Sequence, residues 1–284
     1  MTEVIKELAA LRGQVARWRQ EGLRVALVPT MGNLHGGHFS LVGLARQHAD
    51  RVVVSIFVNP TQFGPGEDYD RYPRTPEADI QGLREAGADV AWMPQLETVY
   101  PYGPEHAVRV QVPGITDVLE GAHRPGHFDG VATVVARLFN QVQPDVAVFG
   151  RKDYQQLAVI RYMVRDLAFP VELVAAAILR EDDGLAMSSR NQYLGESERA
   201  IAPEIHRALQ GMAEAARAAR PRALVEQEAS ERLQAAGLVV DYAVLRRTDL
   251  LEPEAPGQDD GGRVALVAAS LGTTRLIDNL EFSL

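Results

Sequence analysis

The stretch from Leu23 to His48 places the tightest constraint on the fold. Val25-Ala26-Leu27-Val28 is a short apolar run of strand character, and Phe39-Ser40-Leu41-Val42-Gly43-Leu44-Ala45 carries apolar residues at helical spacing. Between them lies Pro29-Thr30-Met31-Gly32-Asn33-Leu34-His35-Gly36-Gly37-His38, with three glycines and two histidines. A strand that turns through glycines into a helix is the building unit of a parallel sheet. Its helix start presents backbone N–H groups and the positive end of a dipole, which suits an anion, phosphate above all. A glycine-rich turn with two solvated histidines is the plainer alternative for this stretch alone.

The alternation continues along the chain. Arg51–Val58 is a β-branched run suited to a central parallel strand, and it ends in the loop Asn59-Pro60-Thr61-Gln62-Phe63-Gly64-Pro65-Gly66. The order after it is a helix over Pro76–Ala86, a strand over Val90–Met93, an edge strand at Val108–Val112 and a loop over Gly121–Gly130. A helix over Val131–Asn140, a strand over Pro144–Phe149, a helix over Leu157–Val164 and a strand over Val171–Ile178 complete the set. An amphipathic opening helix is expected from Val4, Ile5, Leu8, Leu11, Val15 and Trp18. This is the pattern of an α/β, doubly wound parallel sheet spanning residues 1–178. From about residue 179 the chain changes character. Two Ala-rich helical stretches (Glu196–Ala219, Arg222–Ala236) precede a strand at Val239–Leu245, a turn region at Glu252–Gly262 and a last strand at Arg263–Ala269. A smaller α+β domain of hairpin and helices over 179–284 is the economical reading.

Composition narrows the function classes. The net charge of −9 argues against a general nucleic-acid or acidic-membrane surface. The 284 residues include no cysteine, which excludes disulfides, thiol nucleophiles and Cys-ligated zinc. The first twenty residues carry no cationic start followed by an apolar core, and no apolar run approaches the ~18 residues that span a bilayer. A soluble, cytoplasmic protein is expected.

Four loops carry the chemistry: Pro29–His38, Asn59–Gln62, Gly150–Gln156 and Met187–Arg190. The first three follow predicted parallel strands, so they share the carboxyl edge of the sheet, where such folds bind ligands. The fourth opens the second domain. His35 and His38, three apart at a helix start, project as neighbours. They read as donors to phosphate oxygens, as a metal pair joined by His123 and His127, or as solvated side chains. No carboxylate completes a familiar metal-ligand spacing, so no metal site is assigned. Lys152 offers a point charge after a strand; Ser188, Ser189 and Arg190 offer two hydroxyls and a guanidinium fork. A surface Lys152–Asp153 pair and a serine-capped turn are the structural alternatives. The P-loop signature and the dinucleotide fingerprint are both absent.

The segments PTMGNLHGGH, SIFVNPTQF, YPRT, RPGHFDGVATVVARLFNQVQPDVAVFGRKDYQQL, GLAMSSRNQYL and LGTTRLIDN resemble the pantothenate synthetase (pantoate–β-alanine ligase) family across nearly the whole chain. The resemblance implies a homodimeric cytoplasmic enzyme of pantothenate biosynthesis. Its first domain would be a nucleotidyltransferase-like Rossmann domain binding ATP and pantoate, and its smaller C-terminal domain a lid associated with the dimer. It implies ATP-dependent condensation of (R)-pantoate with β-alanine through an acyl adenylate, releasing AMP and pyrophosphate, with Mg2+ accompanying ATP. Carried over by motif, Met31, Gly32, Asn33, Leu34, His35, Gly36, Gly37 and His38 line the nucleotide, with His38 as proton donor. Gly150, Arg151, Lys152, Asp153, Leu179, Met187, Ser188, Ser189 and Arg190 also contact ATP; Gln62 holds pantoate and also borders the β-alanine site, and Gln156 is the second pantoate ligand. Lys152, His35, His38, Ser188, Ser189 and Arg190 are the catalytic set. Three positions depart from the family pattern: Gly36 stands in place of a polar residue, Thr61 in place of a methionine, and Arg151 in place of a glutamate. A nucleotidyltransferase that keeps the nucleotidyl group on its product, and an idle ATP-binding regulator, are the competing functions.

Overall fold

The apolar runs become two separate sheets. In the computed structural model, which describes residues 2–255 and 261–284, the first sheet contains β1 (Glu3–Ile5), β2 (Val25–Thr30), β3 (Arg51–Ile56), β4 (Val90–Trp92), β5 (Val146–Gly150) and β6 (Glu172–Ala176). Every neighbouring pair is parallel, in the order β1-β4-β3-β2-β5-β6. The helices between them are α1 (Leu8–Gln20), α2 (Gly36–His48), α3 (Pro76–Ala86), the short α4 (Leu96–Val99) and α5 (Glu120–His123), α6 (His127–Val142) and α7 (Tyr154–Asp166). Leu41, Val42 and Ala45 of α2 and Leu83 of α3 share a core with Ala26, Val28, Val52, Val54, Val146 and Val148. Alternate strand residues face the other way, and there α6 packs on β2 and α1 on α6. The result is a doubly wound, Rossmann-like α/β unit. Its chain order reverses between β2 and β5, the kind of switch point at which open sheets bind ligands.

The second sheet is antiparallel: β7 (Val239–Arg247), β8 (Gly262–Leu271) and β9 (Thr274–Ser283), in that order. Helices α8 (Glu196–Ile201), α9 (Glu204–Arg217) and α10 (Arg222–Ala235) precede it. Leu209, Met212, Val225, Leu233, Val267, Leu276 and Phe282 form the core between helices and sheet.

The chain divides into two compact units, Met1–Arg151 with Val159–Ala177, and Lys152–Ala158 with Ile178–Leu284. A single cut at 178 therefore omits one detail: residues 152–158 belong with the second unit. The Tyr154 hydroxyl explains this, lying 2.7 Å from Glu281 Oε1 and 3.0 Å from the Thr248 carbonyl.

Several local expectations are corrected. Val4 and Ile5 belong to β1, not to the opening helix, because Glu3–Ile5 pairs with Val90–Trp92; the Ile5–Leu8 spacing fits a helix equally well. Val108–Val112 forms no strand. It lies along α6, where Thr133 Oγ1 accepts from Val110 N (2.9 Å) and Arg137 donates to Val108 O (3.2 Å), so side chains replace a strand partner. Gly121–Gly130 is mostly helical, since α6 starts at His127. The stretch Glu196–Ala219 is broken at Ala202-Pro203, where proline supplies no N–H. The second unit gains β9, whose two-residue connection to β8 uses Gly272 at φ +54°. Of the expected Glu252–Gly262 turn, Pro256 and Gly257 lie outside the described residues.

Candidate active site

In the first unit, β2 delivers the chain into the tight turn Met31–His35. Gly32 adopts φ +83°, and a Cβ there would stand 3.0 Å from Asp79 Oδ2 and 3.1 Å from Ile56 Cγ2, so only glycine fits. Asp79, buried in the first turn of α3, accepts from Asn33 N (3.0 Å), Leu34 N (2.8 Å) and the Thr75 hydroxyl (3.0 Å). This carboxylate fixes the turn's shape. Sequence reasoning missed it, because nothing local in Pro76–Ala86 points 45 residues back along the chain.

Helix α2 starts at Gly36, earlier than its apolar periodicity suggests, so both histidines belong to its cap. His35 is the N-cap and its Nδ1 accepts from Gly37 N at 3.1 Å; His38 Nδ1 accepts from His35 N at 3.3 Å. This is a capping box built from two imidazoles. An Nδ1 that accepts holds no proton, so in each neutral ring the proton sits on Nε2 and that nitrogen donates. The ring centroids are 4.2 Å apart, inclined by 47°. Two paired N–H donors at a helix N-terminus can stabilise anionic oxygens.

The loop after the neighbouring β3 folds into a 3₁₀ turn, Pro60–Gln62. Gln62 Nε2 lies 3.3 Å from Met31 Sδ, so the structure brings Met31–His38 and Gln62 together. On its far side the Gln62 carbonyl accepts from His127 Nδ1 (2.8 Å) and Arg124 Nη2 (3.3 Å). His127 Nε2 then accepts from Arg124 Nη1 at 3.1 Å, and Arg124 is paired with Glu67 at 2.5 Å. Both ring nitrogens of His127 are thus occupied, which removes it from the metal pair considered with His35 and His38. Among the described residues, no group of three or more His, Asp or Glu could hold a metal ion. Gly150 closes β5 on the same edge of the sheet, and exposed Arg151 donates its N–H to Ala176 O at 2.9 Å.

Burial, followed by the charge of Arg124, lowers His127 from 6.5 to about 4, against the pull of the Gln62 carbonyl, Glu120 and Glu67. The unfolded chain therefore binds the extra proton first, and stability falls as pH drops from about 6.5 through 4. Over that window the loss attributable to His127 is on the order of 3 kcal/mol. Urea unfolding at pH 7 and pH 4.5 should show the parent losing more stability than His127→Gln. Equal losses would mean that His127 is not the titrating group.

In the second unit, Lys152 is half-buried and its carbonyl accepts from Asn279 Nδ2 at 2.9 Å. Gln155 is buried and Gln156 half-buried, both in the first turn of α7. Leu179 O accepts from Met187 N at 3.0 Å, flanking the bridge between Arg180 and Ala186. Arg180 is held by a two-pronged ion pair with buried Asp278 (2.6 and 3.0 Å). Consecutive residues of β9, Asp278 and Asn279, thus brace Arg180 and Lys152. The sequence marks LGTTRLIDN only by its family resemblance and reveals neither the strand nor these targets. Ser188 Oγ caps the 3₁₀ turn Ser189–Tyr193 by accepting from Arg190 N at 3.3 Å, and Gln192 donates to Ser189 O at 2.8 Å.

Comparison with known proteins agrees with this architecture. A family model described as Pantoate-beta-alanine ligase matches residues 3–281. A pantothenate synthetase of Stenotrophomonas maltophilia is 65% identical over 282 residues, covering 99% of this chain and 100% of the relative. A crystal structure of pantothenate synthetase from Thermus thermophilus is 49% identical, with TM-score 0.90 and 99% of each chain covered. A pantoate-beta-alanine ligase from Francisella tularensis, crystallised with beta-gamma ATP and beta-alanine, is 30% identical, with TM-score 0.82, covering 99% of this chain and 97% of that one. No helix among the described residues is long and apolar enough to cross a membrane.

Proposed function

The chain belongs to the pantoate–β-alanine ligase family, and from that premise we propose that it joins (R)-pantoate to β-alanine through a pantoyl adenylate, releasing AMP and pyrophosphate. A carboxylate is a poor acyl donor, so activation must come first. A pantoate carboxylate oxygen attacks the α-phosphorus of ATP; that P–O bond forms as the bond to the β-phosphate oxygen breaks and pyrophosphate leaves. The neutral amine of β-alanine then attacks the acyl carbon. A C–N bond replaces the C–O bond to AMP, and the amine loses a proton.

The observation that carries this reading is the His35–His38 pair. Its two Nε2–H groups, at the start of α2, are preorganised donors for the charge that accumulates on phosphate oxygens and on departing pyrophosphate. Met31–Leu34 would line the nucleotide, along with Gly36, Gly37, Gly150, Arg151, Asp153, Leu179 and Met187. Lys152, Ser188, Ser189 and Arg190 would add cationic and hydroxyl donors, and Gln62 and Gln156 would hold pantoate. Mg2+ would arrive as the counter-ion of ATP. With no three-carboxylate or histidine cluster among the described residues, its oxygen ligands would come largely from the phosphates. Keeping the adenylate from water is the second requirement, which gives residues 179–284 a lid role in a cytoplasmic homodimer.

The test is isotope exchange. Pantoate-dependent ATP–pyrophosphate exchange should proceed without β-alanine, and adding β-alanine should yield the amide and AMP. Amide formation without exchange would overturn the free adenylate, and a nucleotide adduct as final product would mark a nucleotidyltransferase instead.

A further inference from the structure

Asn59 stands at the middle of a hydrogen-bond chain that ends on Gln62, and this chain has a direction. Asn59 is 1% exposed, so its amide must be satisfied by protein groups. One end lies 3.2 Å from the Gly130 carbonyl and 3.1 Å from the Gln62 side chain. A backbone carbonyl only accepts, so the Asn59 atom facing it is Nδ2. Oδ1 then faces the other way, where it receives the Tyr100 hydroxyl at 2.7 Å, the Thr61 hydroxyl at 3.0 Å and Thr61 N at 3.4 Å. The second hydrogen on Nδ2 points at Gln62, so the Gln62 atom that meets it is Oε1. That leaves Nε2 as the leading end of Gln62, 3.3 Å from Met31 Sδ, a weak acceptor that a ligand oxygen would displace.

We propose that Tyr100 and Thr61 are positioning residues for the substrate: their hydroxyls lock the Asn59 amide, and through it Gln62 is made to present its NH2 rather than its carbonyl. This rests on the reading that Gln62 holds pantoate. The pocket end of Gln62 then selects a substrate with an acceptor oxygen at that point, as the pantoate carboxylate supplies. A flipped Gln62 would set carbonyl against carboxylate. The relay is stiff at its source. Tyr100 is 1% exposed, with the Arg137 guanidinium 4.9 Å from its ring centroid, and burial raises its hydroxyl pKa against the Thr61 hydrogen bond and the Arg137 charge, so it stays protonated. The backbone of Gln62 is held separately, by His127 and Arg124. Loss of the hydroxyls therefore removes two of the three donors to Asn59 Oδ1, leaving only the long bond from Thr61 N, and loosens the two amides without releasing the turn.

Steady-state kinetics with Thr61→Val, Tyr100→Phe, their double variant, Thr61→Ser and Gln62→Ala test this, with a thermal melt on each. The double variant should raise the KM for pantoate by about tenfold, with the KM for ATP within about twofold and kcat little changed. Each single variant should show part of that rise, and Thr61→Ser should behave as the parent. An unchanged pantoate KM in the double variant would overturn the relay. So would a rise in all three KM values with a lowered melting temperature, or a Thr61→Ser variant as poor as Thr61→Val. A parent with no pantoate-dependent turnover, or Gln62→Ala with the parent's pantoate KM, would overturn the underlying reading instead.

Discussion

Replacing Lys152 with alanine is expected to slow pantoate-dependent ATP–pyrophosphate exchange by about 10²–10³-fold while leaving the protein folded. The magnitude follows from what the ammonium would do on the proposed reading. About one further negative charge moves onto the already anionic pyrophosphate as the bond to the β-phosphate breaks, and a fixed cation beside it would stabilise that charge more than bulk solvent does. The fold should survive because the structural tie at this residue uses its main chain: Asn279 donates to the Lys152 carbonyl, not to its side chain. Lys152→Ala keeps that bond. Lys152→Arg keeps the charge but replaces a compact ammonium with a planar fork, so it should recover only part of the rate. Exchange near the parent's in Lys152→Ala, at unchanged melting temperature, would remove Lys152 from the chemistry.

The parts of this site that could be read from the sequence are those whose information is local. Continuous apolar, β-branched runs marked β2, β3 and β5, and a helix period near 3.6 marked the helix after the glycine-bearing turn, because each is decided by neighbours a few residues apart. The start of α2 was misplaced by the same logic. Gly36 and Gly37 carry no periodic signal, so a helix that begins on them becomes visible only through its cap. Residues acting over long separations could not be read at all. Asp79 under the Asn33 and Leu34 amides, Tyr100 on Asn59 and Asn279 on Lys152 are each set by tertiary packing. His127 shows the reverse case: the sequence leaves open a metal role for it beside His35, His38 and His123 without assigning one, whereas burial beside the Gln62 carbonyl gives it a structural hydrogen bond. Thr61 was noticed only as a departure from a family pattern; the position of its hydroxyl against Asn59 Oδ1 gives that departure a physical consequence.

On the proposed reading the imidazole of His38 would combine two tasks that side-chain length can separate. Its Nδ1 accepts from His35 N at 3.3 Å, which caps α2, and its Nε2–H would be the donor to phosphate. An Asn amide ends near the position of Nδ1, and a Gln amide reaches the position of Nε2. His38→Ala removes both and should cost about 10²–10³ in exchange rate, with a stability loss of only about 1 kcal/mol from the cap. His38→Asn should restore much of the stability, since its carbonyl can accept from His35 N, but little of the rate. His38→Gln should recover a larger share of the rate, because its NH2 can lie where the ring N–H was. Melting temperatures and exchange rates on the same three proteins give the comparison. If Asn restored the rate as well as Gln does, capping alone would explain the loss in His38→Ala, and the phosphate-donor role would pass to His35.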